Sequence, residues 1–489
     1  MGWSELPPPT VGDGSGRAGD LPDLRYRRGV DVAGASRVLD EHMDQAARTH
    51  GVPAVAFGLL LAGELVHVGS AGDLSPDRAG VGQFRIASMT KSLTAATVLS
   101  LRDEGLLSLD TPVAQILPWA GSLGLPAASP PVRVQHLLTM TAGFPTDDPW
   151  GDRQESLALE DFDALIAGGL TFCRPPGMEF EYANIGYALL GRVITQVTGR
   201  DYRDVVRERL LDPLGMASST FDVASTVERV IGMHPVASGL VEQAEGPSGA
   251  FSPMGGLWST VADLARWVGF LEGSWADAPD TGPLARWSRR EMQRPHITVG
   301  READGSFDSY GLGLRISDHP DLGRFVHHSG GYPGFGSHMR WHPDTRWGIV
   351  ALGNRTYAPM RPVCAEILEE IVRDEAPEAA RARAIERLWP QTERAMALAE
   401  SLLADWDDEA LDAMAAMNLD LDQSRSERRE AWQALAAGTV RRDASSVTSR
   451  SPAHARWTVV TDRGPVELDV LLTAEKEPRI QALTARALG

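Results

Sequence analysis

Lysine is nearly absent from this chain. Lys and Arg together number 47 among 489 residues, yet only Lys91 and Lys476 are lysines. Every other basic side chain of this pair is arginine, whose guanidinium keeps its proton, whereas a desolvated ammonium can lose one. A lysine at position 91, three residues after Ser88, is therefore expected to take or hold a proton. Cysteine is as scarce, with Cys173 and Cys364 the two present. Two cysteines in so long a chain make no disulfide framework, and both read as reduced, small apolar residues. No apolar run approaches the length of a membrane-spanning helix. The opening MGWSELPPPTVGDGSGRAGD lacks the basic and apolar regions of a secretory leader. Together these absences make the cytoplasm the expected location, with no membrane partner. Positive charge is in deficit too: the net charge is -19 and the pI near 5.1. That balance excludes nucleic acid and anionic membrane surfaces as main partners.

What is present is an ordinary globular composition, 43% hydrophobic and 23% charged, long enough for two or three domains around a large core. Residues 1–32, rich in Pro, Gly and Asp, are expected to form a flexible segment. Beyond them Val38, Leu39, His42, Met43 and Ala46 recur at helical spacing, with Gly51 as the stop. PAVAFGLLLAGELVHVGSAG reads as a hairpin about Gly63-Glu64. An amphipathic helix is expected from about Ser88 to Glu104, ended by Gly105. NIGYALLGRVITQVTGRDYRDVVRERLL and STVADLARWVGFLEG read as helical, the second capped by Ser259 or Thr260 with Asp263 behind it. GRFVHHSGGYPGFGSHMRWHPDTRWGIVALGN reads as three strands, turning at HPDTRW between the last two. Near residue 376 the texture shifts to Ala, Glu and Arg. Residues 33–375 are thus expected to be one domain and 376–489 an appended α+β domain. Its helices precede a hairpin about Asp462-Arg463-Gly464 and a final strand in RIQALTARAL.

Three short patterns carry chemistry. Ser88-Met-Thr-Lys91 places a hydroxyl and an amine on one face of a helical turn, where a neutral lysine could remove the serine proton and make it a nucleophile. Alone the pattern also suits a capping serine beside a solvated lysine. Tyr182-Ala-Asn184 can put two polar tips on one side of an extended segment, a phenol to relay protons and an amide to bind substrate or lysine. His328-Ser329-Gly330, followed by Gly331, sits on an expected strand where glycines let a ligand approach the backbone. His338 and His342 have the i, i+4 spacing of a zinc pair, but that spacing needs a helix and the segment reads as a strand. No metal is expected.

In this order the three motifs resemble those of the serine β-lactamase and penicillin-binding-protein superfamily. The flanking GLLSLDTPVAQILP, VRVQHLLTMTAGF, PPGMEFEYANIGYALLGRVITQVTG, PLGMASSTF, GGLWSTVADLARW and YGLGL are similar to its class C β-lactamase-related branch, which includes D-aminopeptidases, D-alanyl carboxypeptidases and esterases. The likeness spans about residues 35–360. It implies an α+β, β-lactamase/transpeptidase-like fold: an antiparallel sheet flanked by helices, with a helical region beside it. It implies Ser88 as nucleophile, Lys91 and Tyr182 as base and acid, and the backbone N–H groups of Ser88 and Gly331 as oxyanion hole. It also implies Asn184, His328, Ser329 and Gly330 around the substrate, and no metal or organic cofactor. The expected substrate is a small ester, an amide or a short peptide containing a D-amino acid. Acyl transfer to an amine and a catalytically silent sensor are the alternatives. His328 stands where class C β-lactamases carry lysine. That histidine form is similar to D-aminopeptidases and implies a weakened cation for a substrate carboxylate, since histidine is charged only part of the time near neutral pH.

Overall fold

The structure is a computed structural model that describes residues 31–488 apart from 122, 126–127, 277–278, 377–387 and 437. The expected flexible segment over 1–32 lies almost wholly outside the described residues, as does the helical reading of 377–387. An eight-stranded, fully antiparallel sheet organises the first part. Its strands are β1 (Ala54–Leu61), β2 (Glu64–Gly72), β3 (Ile297–Arg301), β4 (Phe307–Tyr310), β5 (Arg315–His319), β6 (Gly323–Tyr332), β7 (Phe335–Trp341) and β8 (Trp347–Gly353), in the order β2-β1-β8-β7-β6-β5-β4-β3. β1 is buried along its whole length because both faces of the sheet are covered. Ala56 and Leu60 face one core, while Val55, Phe57, Leu59 and Leu61 face the other, the two-residue alternation of a strand between two layers.

One covering layer is α1 (Val32–His50), joined further along by a helix at Met360–Val372. Leu39, Met43, Cys364, Ile367 and Leu368 pack there against the second set of β1 side chains. Asp31 caps α1, and Gly51 ends it at φ 57°, donating its N–H to carbonyls of the last turn. That left-handed conformation is why glycine stands there.

The other layer is α2 (Thr90–Asp103), with α3 (Asn184–Thr198) and α4 (Val261–Glu272) around it. The expected helix 88–104 differs from the observed one in two respects. Residues 87–89 form a separate 3-10 turn ahead of α2, and residues 90–101 are all buried, so the helix is enclosed rather than amphipathic. Its polar residues are satisfied internally. Ser92 and Thr97 donate to the carbonyls of Met89 and Leu93 at 2.7 and 2.9 Å, and Thr94 donates to Pro253 at 2.7 Å. A buried hydroxyl with an acceptor costs little, and this lets a Thr- and Ser-rich helix pass through the middle of the molecule. Thr260 caps α4 by accepting from the Asp263 N–H.

With Met360–Val372 as α5, the appended part contains α6 (Pro390–Ala404) and α7 (Arg425–Leu435). These pack on a separate antiparallel sheet, β9 (Val440–Ser451), β10 (His454–Thr461), β11 (Gly464–Leu472) and β12 (Ile480–Ala487), in that order. Met396, Leu402, Leu403, Trp432, Trp457, Leu468 and Ile480 share its core. Cys173 and Cys364 are unpaired; Cys364 is buried as expected, whereas Cys173 is exposed. No helix among the described residues is long and apolar enough to cross a membrane.

Candidate functional site

Ser88 lies in the short turn between the end of an outlying two-residue strand and α2. Ala87 before it sits at φ 49°, a left-handed conformation that costs a residue with a Cβ on the order of 1 kcal/mol. The surroundings impose it. The Ile86 N–H donates to Leu257 O at 3.0 Å, and the Ser337 hydroxyl on β7 donates to Ile86 O at 2.8 Å. The result is a serine that is 7% exposed beside a lysine that is 0% exposed.

Lys91 Nζ has three partners: Ser88 Oγ at 2.8 Å, Asn184 Oδ1 at 2.7 Å and Met254 O at 2.8 Å. Asn184 is oriented in turn. Its Nδ2 donates to Asp148 Oδ1 at 2.8 Å, so its oxygen must face the lysine. Asp147 accepts the N–H groups of Asn184 and Ile185 at 2.6 and 2.9 Å and fixes the start of α3. Burial pushes the Lys91 ammonium down from 10.5 to about 8, even though the carboxylates of Asp148, Asp152 and Asp147 pull it back up. Tyr182 lines the same cavity as Ser88, and desolvation pushes its phenol well above the ordinary range although Ser88 pulls it the other way. Its ring also lies 5.1 Å from Lys91 Nζ. The two candidate bases are thereby separated: of the pair, only Lys91 can be neutral and proton-accepting near pH 7–8.

The third motif borders the same cavity. Ser88, Tyr182, His328, Ser329, Gly330 and Gly331 all line an opening of about 540 Å³. Gly330 has a steric reason to be glycine: a Cβ there would stand 2.1 Å from Ile86 O and 2.2 Å from Ser337 Oγ. Gly330→Ala is therefore expected to push β6 away from the Ser88 turn, costing ~1–3 kcal/mol of stability by overpacking. A melting curve and a Ser88 labelling rate check this, and both should fall together.

His328 corrects an expectation. Burial first, and then nearby Lys91, push its imidazole down to about 3. Its Nδ1 lies 2.7 Å from Ser329 O, a carbonyl that can only accept, so that nitrogen carries the proton. Nε2 is left to accept from the Tyr310 hydroxyl at 3.2 Å. The ring is neutral near pH 7 and supplies no cation there, even a part-time one. Three arginines do reach the cavity, Arg153, Arg315 and Arg361. Arg315 and Arg361 are anchored by Asp308, at 3.9 and 3.0 Å. His338 and His342 face different partners, Ser329 Oγ at 3.0 Å and Leu322 O at 2.8 Å, so they are not a ligand pair.

The Beta-lactamase family profile matches residues 37–373, well over half of the chain. The chain belongs to the Beta-lactamase family. Penicillin-binding protein 4* of Bacillus subtilis (strain 168) is 26% identical over 290 residues, 56% of this chain and 60% of that protein. The chain spans little more than half the length of the curated relatives it matches. Among solved structures, the octameric penicillin-binding protein homologue from Pyrococcus abyssi superposes with a TM-score of 0.60 at 22% identity, covering 91% of this chain and 93% of that one. A D-stereospecific amidohydrolase from Streptomyces sp. gives 0.56 at 22% identity, covering 70% and 99%. These likenesses establish the β-lactamase/transpeptidase-like fold, with a β-rich unit after it. Within the family fold, the cavity wall also includes Asp148, Asp152, Arg315, Tyr357 and Arg361, none of which sequence reading singles out. Burial pushes Asp152 up to about 7, and it accepts from the Tyr357 hydroxyl at 2.9 Å. Arg315 follows YGLGL directly, so its signal lay at the edge of a recognised segment.

Proposed function

We propose that this protein is a serine hydrolase that cleaves an ester or amide through an acyl-enzyme on Ser88. One observation carries the reading: the surroundings of Lys91 Nζ are satisfied with or without its third proton. Met254 O and Asn184 Oδ1 can only accept. A neutral amine has two N–H donors for them and one lone pair, directed at the remaining neighbour, the Ser88 hydroxyl. A protonated amine donates to all three. A site that holds both states without orphaning a buried group is what a general base requires. Lowering an ammonium from 10.5 to about 8 costs on the order of 3 kcal/mol, and leaves roughly a tenth of it neutral at pH 7.

Ser88 Oγ attacks the substrate carbonyl while its proton passes to Lys91. The tetrahedral oxyanion is received by the backbone N–H groups of Ser88 and Gly331; each such donor is worth a factor of ~10²–10³. As the C–O or C–N bond breaks, the proton returns to the leaving group through the Tyr182 hydroxyl, which is a phenol at rest. Water then repeats the sequence in reverse and frees Ser88. The family and the D-stereospecific amidohydrolase among the structural neighbours support a small ester or a D-amino-acid-containing amide as substrate. We also propose that residues 33–375 form the hydrolase unit and 376–489 an accessory one, since all the motif residues precede 376.

Incubation with a fluorophosphonate probe and a panel of p-nitrophenyl esters and D- and L-aminoacyl anilides tests the reading. The expected outcome is one covalent adduct, on the peptide holding Ser88, and turnover of at least one substrate class. A folded protein that takes no label and turns over nothing overturns it.

A further inference from the structure

Beside the cavity, on β4 to β7, lies a line of buried polar groups that the hydrolytic mechanism does not use. Asp308 is 1% exposed and ion-paired to Arg361. The Ser317 hydroxyl donates to its Oδ1. With that proton committed, Ser317 Oγ must accept from His327 Nε2, 2.9 Å away. His327 therefore carries its proton on Nε2, and its Nδ1 is a bare lone pair. That Nδ1 is buried without a partner, and so is Nε2 of His338. The two rings are 5.5 Å apart between centroids, as expected for diagonal neighbours on one face of paired strands. At its other end His338 Nδ1 lies 3.0 Å from Ser329 Oγ, in the wall of the cavity.

A buried bare acceptor needs a donor. His338 with its proton on Nε2 presents one to His327 Nδ1 across the gap between the rings. Its own Nδ1 is then an acceptor, so the Ser329 hydroxyl must donate to it. The opposite tautomer would leave two lone pairs opposed across the gap. Burial and nearby Arg340 push both rings well below the ordinary histidine range, which keeps them neutral and the direction of the chain intact.

We propose that Ser317, His327 and His338, anchored on Asp308, form a one-way chain of hydrogen-bond donors that fixes Ser329 as an acceptor facing the substrate. Ser329 then recognises an N–H or ammonium group and discriminates against a carboxylate at that position. The specificity part rests on the hydrolase reading above; the direction of the chain does not. Ser317, His327 and His338 are positioning residues, since none of them is placed against the reacting atoms.

The test is tautomer assignment by long-range ¹H–¹⁵N correlation on the full chain labelled with ¹⁵N-histidine, at pH 7. The expected spectrum shows His327 and His338 both neutral with the proton on Nε2. A His338 protonated on Nδ1, or either ring as imidazolium, overturns the chain. A second measurement compares kcat/KM for an ester bearing an α-amino group with that for its desamino analogue. His338→Phe is expected to lower this ratio about tenfold, mainly through KM. An unchanged ratio in a folded variant overturns the specificity role, and if the variant does not fold the tautomers of the wild type decide. Expected tautomers in a protein without hydrolase activity would sink the hydrolase reading, and with it the specificity role, but not the chain. Wrong tautomers in an active enzyme would sink only the chain.

Discussion

Replacing Ser88 by alanine is expected to abolish probe labelling and substrate turnover while leaving the fold in place. The loss should be large: deleting the nucleophile of a well-studied serine protease costs on the order of 10⁶ in kcat. The fold should survive for local reasons. Ser88 Oγ is one of three partners of Lys91, and Asn184 Oδ1 and Met254 O continue to hold the amine. The Ser88 turn itself is held by backbone bonds and by Ser337, none of which uses the serine hydroxyl. A melting temperature within about 2 °C of wild type is therefore expected, since one exchanged hydrogen bond at a cavity wall amounts to ~1 kcal/mol. Near-normal turnover by Ser88→Ala would remove the mechanism altogether.

Lys91→Arg should be nearly as damaging as Lys91→Ala, with acylation slowed by ~10²–10⁴, the usual worth of a positioned general base. Guanidinium retains the charge but has no lone pair to offer. It is also longer and planar, in a position with no exposure at all. Lys91→Met fills similar space without a base and serves as the packing control. If the arginine variant folds and acylates at a rate near wild type, Lys91 supplies charge rather than a proton site.

Much of this site is legible in the sequence because its residues come in short, local patterns. Ser88 and Lys91 are three apart, and Tyr182 and Asn184 are two apart. His328, Ser329 and Gly330 are contiguous. Hydrophobic spacing reads out α1, and runs of β-branched and aliphatic residues read out β1, β2 and β6 to β8. Strands β3 to β5 are not legible. They are four or five residues long and carry Arg301, Asp308, Arg315 and Asp318, so the alternation of a half-buried strand is lost among charges. β9 hides for a similar reason: RRDASSVTSRS is polar, and its register is interrupted between Asp443 and Thr448. The lowered ammonium of Lys91 could only be expected, since the burial that causes it comes from α3, the Met254 carbonyl and the sheet. His328 shows the opposite case. Its residue type suggested partial charge, but Tyr310 and Ser329 O pin it as a neutral ring. Arg315, Arg361 and the Asp148/Asp152 pair belong to three separate segments, and no local pattern joins those segments.

The scarcity of lysine also makes the central claim directly measurable. With ¹³Cε-lysine labelling the chain should give two side-chain signals, from Lys91 and from exposed Lys476. Loss of one signal in Lys476→Arg assigns the other to Lys91. Lys91 is predicted to titrate near pH 8, well below the ~10.4 of a free lysine, and single-turnover acylation of Ser88 should rise with pH along the same curve. A Lys91 midpoint above 10, or acylation that stays constant while Lys91 gains its proton, would contradict the assignment of this amine as the base.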